Sequence, residues 1–312
     1  MGWFYLHIHS NIKLPTATYE FSIQPGSNLK QISQQLANAG IIPSQWTFII
    51  LARYLNHESA IKAGDYELTG NLSQIALLDY LIKGNAKQNE IKFIEGWTFA
   101  QIRKVLNEHP AIEYKSAGLS DQQILQHIGA SETAVEGIFF PDTYYFIKGS
   151  SDLDILQRAY KSMQNHLQNY WLERVESLPL NTPYEALILA SIIEKETGAE
   201  SDRAEIAGVF INRLRKGMKL QTDPTVIYGL GEQFDGNLRK KDLLADQEYN
   251  TYTRAGLPPT PISLPSLASI RAALNPAETD ALYFVAKGNG ESEFSTNLAD
   301  HNKAVNKYQK QQ

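Results

Sequence analysis

The stretch "NTPYEALILASIIEKETG" (181–198) carries the boundary signals of a helix and a puzzle about its purpose. Thr182 and Glu185 fit a capping box, Pro183 falls at the first helical position, and Gly198 fits the residue after the end. Between them Ala186, Leu187, Ile188, Leu189, Ala190, Ile192 and Ile193 cover the whole circumference. A helix apolar all round is buried, so other elements must surround it, and its last turn emerges from the core. Glu194 and Glu196 close that turn. Two residues apart is about 200° around a helix, so they cannot converge on one site. A retaining glycosidase needs two carboxyl groups ~5 Å apart, which this doublet does not supply. One glutamate can face a cleft for acid–base work while the other is solvated or paired with Lys195 or Arg203. Helix geometry alone does not choose between them.

Downstream, a second helix is expected from Asp202, with Glu205 completing another capping box and Gly217 stopping it. The segment "MKLQTDPTVIYGLG" (218–231) reads as a polar loop, and 248–266 as a long loop held in shape by its prolines. The stretch 281–297 reads as a hairpin turning at Gly288–Asn289–Gly290. A buried helix ending in a carboxylate, with long polar and aromatic loops around it, describes a polysaccharide-processing cleft.

Upstream, 21–40, 66–84 and 91–109 share one grammar: a short strand, a glycine turn, a Ser, Thr or Asn cap, then an amphipathic helix. A further helix is expected after Pro43–Ser44, carrying Trp46, Phe48, Ile49 and Leu51. This portion reads as small α+β units of a scaffold or binding module. Residues 110–180 read as mostly helical, interrupted at "EGIFFPDTYYF" (136–146), where Pro141 and Asp142 end any helix. Phe139, Phe140, Tyr144 and Tyr145 there form either core or the wall of a sugar-binding cleft.

Composition narrows the function. The chain has 312 residues, 43% hydrophobic and 20% charged, enough for two domains with an adapter between them. A net charge of −5 and no basic stripe argue against a nucleic-acid partner. The absence of cysteine removes disulfides and thiolate chemistry. The 7 histidines are scattered with no HExxH, so no metal centre is expected, and no nucleotide-binding glycine pattern occurs. No run of ~20 apolar residues is present to span a membrane. The opening "MGWFYLHI" is either a tail or strand, or the outer end of a membrane anchor with Trp3 and Tyr5 at interface depth.

Four ordered stretches, "ASIIEKET" (190–197), "VFINRLRKGMKLQTDPTVIYG" (209–229), "YNTYTRAGLPP" (249–259) and "FSTNLADHN" (294–302), resemble the YceG-like endolytic murein transglycosylases. The resemblance runs from about residue 19 to the end. It implies an α+β fold: a membrane-proximal stump (1–18), a LysM-like glycan-binding module (19–90), an adapter (91–180) and a mainly helical, lysozyme-like catalytic domain with a β-hairpin (181–312). The family's catalytic glutamate maps onto Glu196, which breaks the tie with Glu194. Glu196–Thr197 resembles the Glu–Ser signature of lytic transglycosylases, while Gly217–Met218 with Leu220–Gln221, and Tyr249–Asn250, resemble their second and third motifs. Gln221, Thr222, Asp223, Tyr249, Asn250 and Asn297 are then the expected polar lining, each able to serve instead as a loop-stabilising hydrogen-bonding group.

The implied reaction cleaves the β-1,4 bond between N-acetylmuramic acid and N-acetylglucosamine inside glycan strands, leaves 1,6-anhydro ends, and uses no cofactor. Implied partners are peptidoglycan strands and peptidoglycan synthases. The implied location is the bacterial inner membrane, by a single-pass anchor, with the catalytic part in the periplasm or outside the cytoplasmic membrane. The alternatives are a water-using muramidase, with Asp223 as the second carboxylate, and a non-catalytic peptidoglycan-binding scaffold.

Overall fold

A computed structural model describes residues 11–309 apart from 13, 25, 71, 85–88, 197 and 198. The stretch 1–10, most of the expected stump, and the expected stop signal Gly198 therefore lie outside the described residues. The chain forms two compact units, 1–91 with 110–113 and 145–150, and 92–109 with 114–144 and 151–312.

In the first unit β1 (Thr18–Ile23) pairs antiparallel with β2 (Gly64–Thr69), from Thr18 opposite Thr69 to Ile23 opposite Gly64. Helices α1 (Leu29–Asn38), α2 (Gln45–Tyr54) and α3 (Gln74–Lys83) complete it. The expected strand–turn–cap–helix grammar holds. After the turn at Gly26, Asn28 Oδ1 accepts the Gln31 N–H and Gln31 Oε1 accepts the Asn28 N–H. After Gly70, Ser73 Oγ accepts the Ala76 N–H. Apolar residues at helical spacing, Ile32 and Leu36 on α1 and Leu77, Leu78 and Leu81 on α3, are buried with Phe48, Leu51, Tyr66 and Leu68. Each such side chain removed from water contributes about 1.5–3 kcal/mol.

Short strands β3 (Asn89–Lys92), β4 (Ile112–Glu113), β5 (Thr143–Phe146) and β6 (Ser150–Ser151) fall where the chain passes from one unit to the other. The second unit holds α4 (Phe99–Glu108), α5 (Asp121–Ile128), α6 (Asp152–Leu172), α7 (Pro183–Glu196), α8 (Glu200–Arg215), α9 (Asp223–Leu230), α10 (Lys240–Leu244), α11 (Leu267–Leu274) and α12 (Leu298–Tyr308). It also holds the expected hairpin, β7 (Tyr283–Ala286) with β8 (Ser292–Ser295), Tyr283 opposite Ser295.

Helix α7 is the centre of this unit. Residues 186–193 are all buried, and α6, α8, α9 and α11 pack around them. Thr182 Oγ1 accepts the Glu185 N–H at 3.1 Å, while the Glu185 carboxylate takes the N–H of Asn181, one residue before the expected box partner, at 2.7 Å. The proline-stiffened loop lies along α7: Ser191 Oγ accepts the Ile262 N–H at 3.0 Å, and Ser263 Oγ donates to the Ser191 carbonyl at 3.1 Å. Gly137 (φ 75°) also packs tightly on this loop, where a Cβ would stand 2.3 Å from Pro261 Cβ. Phe139, Phe140 and Tyr144 are buried, so the aromatic interruption is core at those positions.

Two expected boundaries move. Helix α8 starts at Glu200, because extended Ala199 is its N-cap, and Asp202 lies inside its first turn instead of capping it. The stretch 218–231 is not all loop: Thr222 holds the N-cap position of α9 without a side-chain capping bond, Pro224 sits in its first turn, and Gly231 follows its end. The residues that look like loop punctuation are the start and stop signals of a short helix. Among the described residues, no helix is long and apolar enough to cross a membrane.

Candidate active site

Glu196 ends α7, and its Oε1 accepts the hydroxyl of Thr222. Thr222 is held in turn by residues of the 248–266 loop. Its N–H donates to Thr251 Oγ1 at 3.1 Å, and the preceding N–H, of Gln221, donates to the Thr251 carbonyl at 3.1 Å. Thr225 Oγ1 donates to the Thr222 carbonyl at 2.8 Å and meets Thr251 Oγ1 at 2.9 Å. Gln221 adopts a left-handed backbone (φ 52°), which costs a non-glycine residue roughly 1–2 kcal/mol. The buried Arg213 offsets that cost. Its Nη1 donates to Gln221 Oε1 at 3.2 Å and to the Lys219 and Leu220 carbonyls at 3.0 Å each, while Nε donates to the Leu282 carbonyl at 2.7 Å. A strained turn held from both sides thus presents one hydroxyl to one carboxyl group.

Burial pushes the Glu196 carboxyl up to about 7, the Thr222 hydrogen bond pulls it down, and the neighbouring charge of Asp223 pushes it up again. A carboxyl group balanced there can give up a proton near neutral pH and take one back. Asp223 is itself held: Tyr252 Oη donates to its Oδ1 at 2.5 Å. Glu196, Asp223 and Tyr252 open onto a cavity of about 490 Å³, whose walls also include Arg213, Tyr283 and His301.

Glu194 has a different surrounding. Its Oε2 accepts the Ser266 N–H at 2.9 Å, the Ser266 hydroxyl at 2.5 Å and the Ser269 hydroxyl at 2.7 Å. Arg203 Nη2 stands 4.0 Å from Oε1, as the pairing expected from sequence requires. This buried carboxylate therefore caps the start of α11.

The remaining expected site residues separate. Gln221, Thr222 and Asp223 gather at Glu196. Tyr249 instead meets Thr260 Oγ1 at 2.9 Å and lies edge-on to Tyr228, with ring centres 4.8 Å apart. Asn250 is buried and ties its loop to the end of α10, donating to the carbonyls of Asp242, Leu243 and Ala245 and accepting the Tyr252 N–H at 2.8 Å. Asn297 caps α12, accepting the Asp300 N–H at 3.0 Å. Tyr252 and Arg213 were not singled out by sequence reasoning, although both lie within the motif stretches. Glu136 was also passed over. It is buried, accepts the Phe99 N–H at 3.0 Å and the Tyr228 hydroxyl at 3.1 Å, and burial pushes its carboxyl up to about 7. Its position before a glycine and an aromatic cluster was the available signal. No group of three or more metal-ligating side chains converges among the described residues.

Residues 21–307 match the YceG-like family. The chain is 34% identical over 309 residues to the endolytic murein transglycosylase of Bacillus subtilis (strain 168), across 93% of this chain and 85% of that protein. It is 29% identical over 316 residues to the endolytic murein transglycosylase of Streptococcus pneumoniae serotype 2, across 91% of this chain but only 57% of that longer protein. The crystal structure of a yceG-like protein from Listeria monocytogenes, 29% identical, superposes with a TM-score of 0.55 over 92% of this chain and 98% of that one. The match runs through the buried helix, the strained turn and the hairpin alike: the chain belongs to the YceG-like family.

Proposed function

We propose that the chain is an endolytic murein transglycosylase in which Glu196 is the acid and then the base. The observation that carries this reading is a single desolvated carboxyl group, raised to about 7 and oriented by Thr222, facing a cavity. Protonated Glu196 gives its proton to the oxygen of the β-1,4 bond between N-acetylmuramic acid and N-acetylglucosamine. The C1–O bond breaks and the leaving sugar departs as an alcohol. The N-acetyl group of the substrate shields the cation at C1. Glu196, now a carboxylate, takes the proton of the muramic C6 hydroxyl as that oxygen bonds to C1, closing a 1,6-anhydro ring. Proton and bonds balance without water. The ring-closing hydroxyl is already tethered to the reacting sugar, so its effective concentration is high.

Mass spectrometry of digested glycan strands tests the product. Anhydro ends are lighter than hydrolysed ones by one water, and internal cuts give long fragments. Predominantly reducing ends would sink the ring-closing step and favour the muramidase, for which the nearness of Asp223 to Glu196 is the supporting observation.

The same reading makes residues 19–90 a LysM-like module that holds the glycan, 91–180 an adapter, and 181–312 a lysozyme-like catalytic domain. Because murein lies outside the cytoplasmic membrane, it also places the enzyme there. An inner-membrane anchor and peptidoglycan synthases as neighbours complete the proposal, supported by the apolar "MGWFYLHI" and by a substrate that is newly made wall. Fractionation of cells expressing the native gene tests the location, and recovery from the soluble cytoplasm would refute it.

A further inference from the structure

The cavity beside Glu196 carries a cation that the transglycosylase chemistry does not use. Arg213 is the only lysine or arginine among the described residues lining it. Its guanidinium is buried, yet no carboxylate of the described residues pairs with it. The charge is met by three backbone carbonyls, the Gln221 amide oxygen and the face of Tyr283, with 5.0 Å from Cζ to the ring centre. Nε and Nη1 make all of those hydrogen bonds, and none of the described residues accepts from Nη2. Burying a cation is costly unless it is compensated, and a fold that tolerates one beside a cavity has a reason to keep it.

The neighbours reinforce the point. The His301 ring stacks on Tyr283 at 5.2 Å, and its Nδ1 is buried without a partner. Burial, and then the charge of Arg213, lower the affinity of His301 for a proton, so the imidazole adds no second positive charge. The acid on the same wall is already engaged, since Asp223 is held by Tyr252. One guanidinium nitrogen is therefore unfilled on a residue that lines the same cavity as the reacting carboxyl group.

We infer that Arg213 is the centre of a carboxylate-binding subsite that recognises the acidic substituent of the muramic acid ring being cleaved. The inference rests on the murein reading above. Each muramic acid carries on its O3 a lactyl group, whose carboxyl is either free or joined to a peptide stem that bears carboxylates of its own. Either source offers planar oxygens to a guanidinium edge, a charge-assisted pairing. A neutral N-acetylglucosamine polymer offers neither, so this subsite separates murein from chitin-like strands.

The test uses the full-length chain and three substrates: strands with peptide stems, strands freed of stems by an amidase, and portions of each with their carboxylates amidated. Neutralising the carboxylates is expected to raise KM about tenfold with kcat changed less than about twofold, because the contact binds without entering the bond-breaking step. If amidating the stem-free strands has that effect, the lactyl carboxylate is the ligand; if only amidating the stemmed strands does, a stem carboxylate is. Arg213→Gln should abolish the sensitivity to amidation, on top of whatever fall in kcat follows from loosening the Gln221 turn that Arg213 also holds. Should that variant fail to fold, the wild-type comparison still decides. Cleavage with the same KM for charged and neutralised strands overturns the subsite alone. Binding to Glu196→Gln protein separates the two proposals. Charge-dependent binding by a protein whose wild type cuts no strand would keep the subsite and sink the transglycosylase reading, and charge-blind binding without cleavage would sink both.

Discussion

Glu194 accepts both the backbone N–H and the hydroxyl of Ser266, so the penultimate glutamate of α7 closes the open start of α11. Two residues later, Glu196 meets Thr222 on the other side of the helix. One turn thus divides its carboxylates between architecture and chemistry.

Glu194→Gln is expected to lower stability by roughly 1–3 kcal/mol, since it removes a charged acceptor from buried hydroxyl and N–H donors. Cleavage per folded molecule should stay close to wild type. Urea unfolding beside an activity assay separates the effects. An inactive but fully stable variant would reverse the assignment.

Glu196→Gln should abolish cleavage and leave the fold intact, because the isostere keeps the shape but has no carboxyl proton to give. It should also melt a few degrees higher at pH 8, where the wild type holds a desolvated carboxylate that the amide relieves. Thermal melting shows this, and a lower melting point would contradict the burial argument.

Thr222→Val removes the hydroxyl that pulls the proton affinity of Glu196 down. The acid must be protonated to act, so rate falls as pH rises through its pKa. The variant's falling limb should move to higher pH, while its maximum rate drops through lost orientation. A pH–rate profile that moves the other way would remove Thr222 from this role.

Glu136 makes stability depend on pH. Its folded pKa of about 7 lies above the ordinary 4.5, so the folded state binds its proton more tightly. The resulting stability is fully present below about 4.5 and is lost as pH rises toward 7, by roughly 3 kcal/mol. Glu136→Gln should flatten that part of the curve in denaturant titrations. An unchanged slope would mean that the carboxyl is ionised in the folded protein.

Much of this was legible in the sequence because local rules and burial agree. Helix α7 announces itself by its cap, its proline and its all-round apolar surface, and the hairpin by its glycine turn. The Glu194–Glu196 doublet could be separated by angle but not assigned, because partners such as Ser266 and Thr222 are distant in sequence. Asn250 reads as a ligand group, and yet its polar atoms are spent joining its loop to the end of α10. Arg213 is one of three arginines on α8, a helix of mixed polarity, with no periodic signal to mark it. Its role depends on carbonyls brought together by the turn at Gln221, which no spacing rule reports. Helix α9 was hidden for the opposite reason: proline and glycine are read as breaks before they are read as boundaries.

The burial of α7 around its whole circumference divides the molecule for anyone who would redesign it. Changes at 186–193 propagate into every neighbouring helix, so that segment leaves little room for variation. The hairpin and α12 wall the Glu196 cavity with side chains that are exposed or half-buried, among them Ala286, Ser292 and Leu298. Libraries aimed at new glycan preferences should diversify the cavity wall at Ala286, Ser292 and Leu298 and leave the acid's helix untouched, because the proton donor would then keep one fixed origin while the surface presented to the sugar changes.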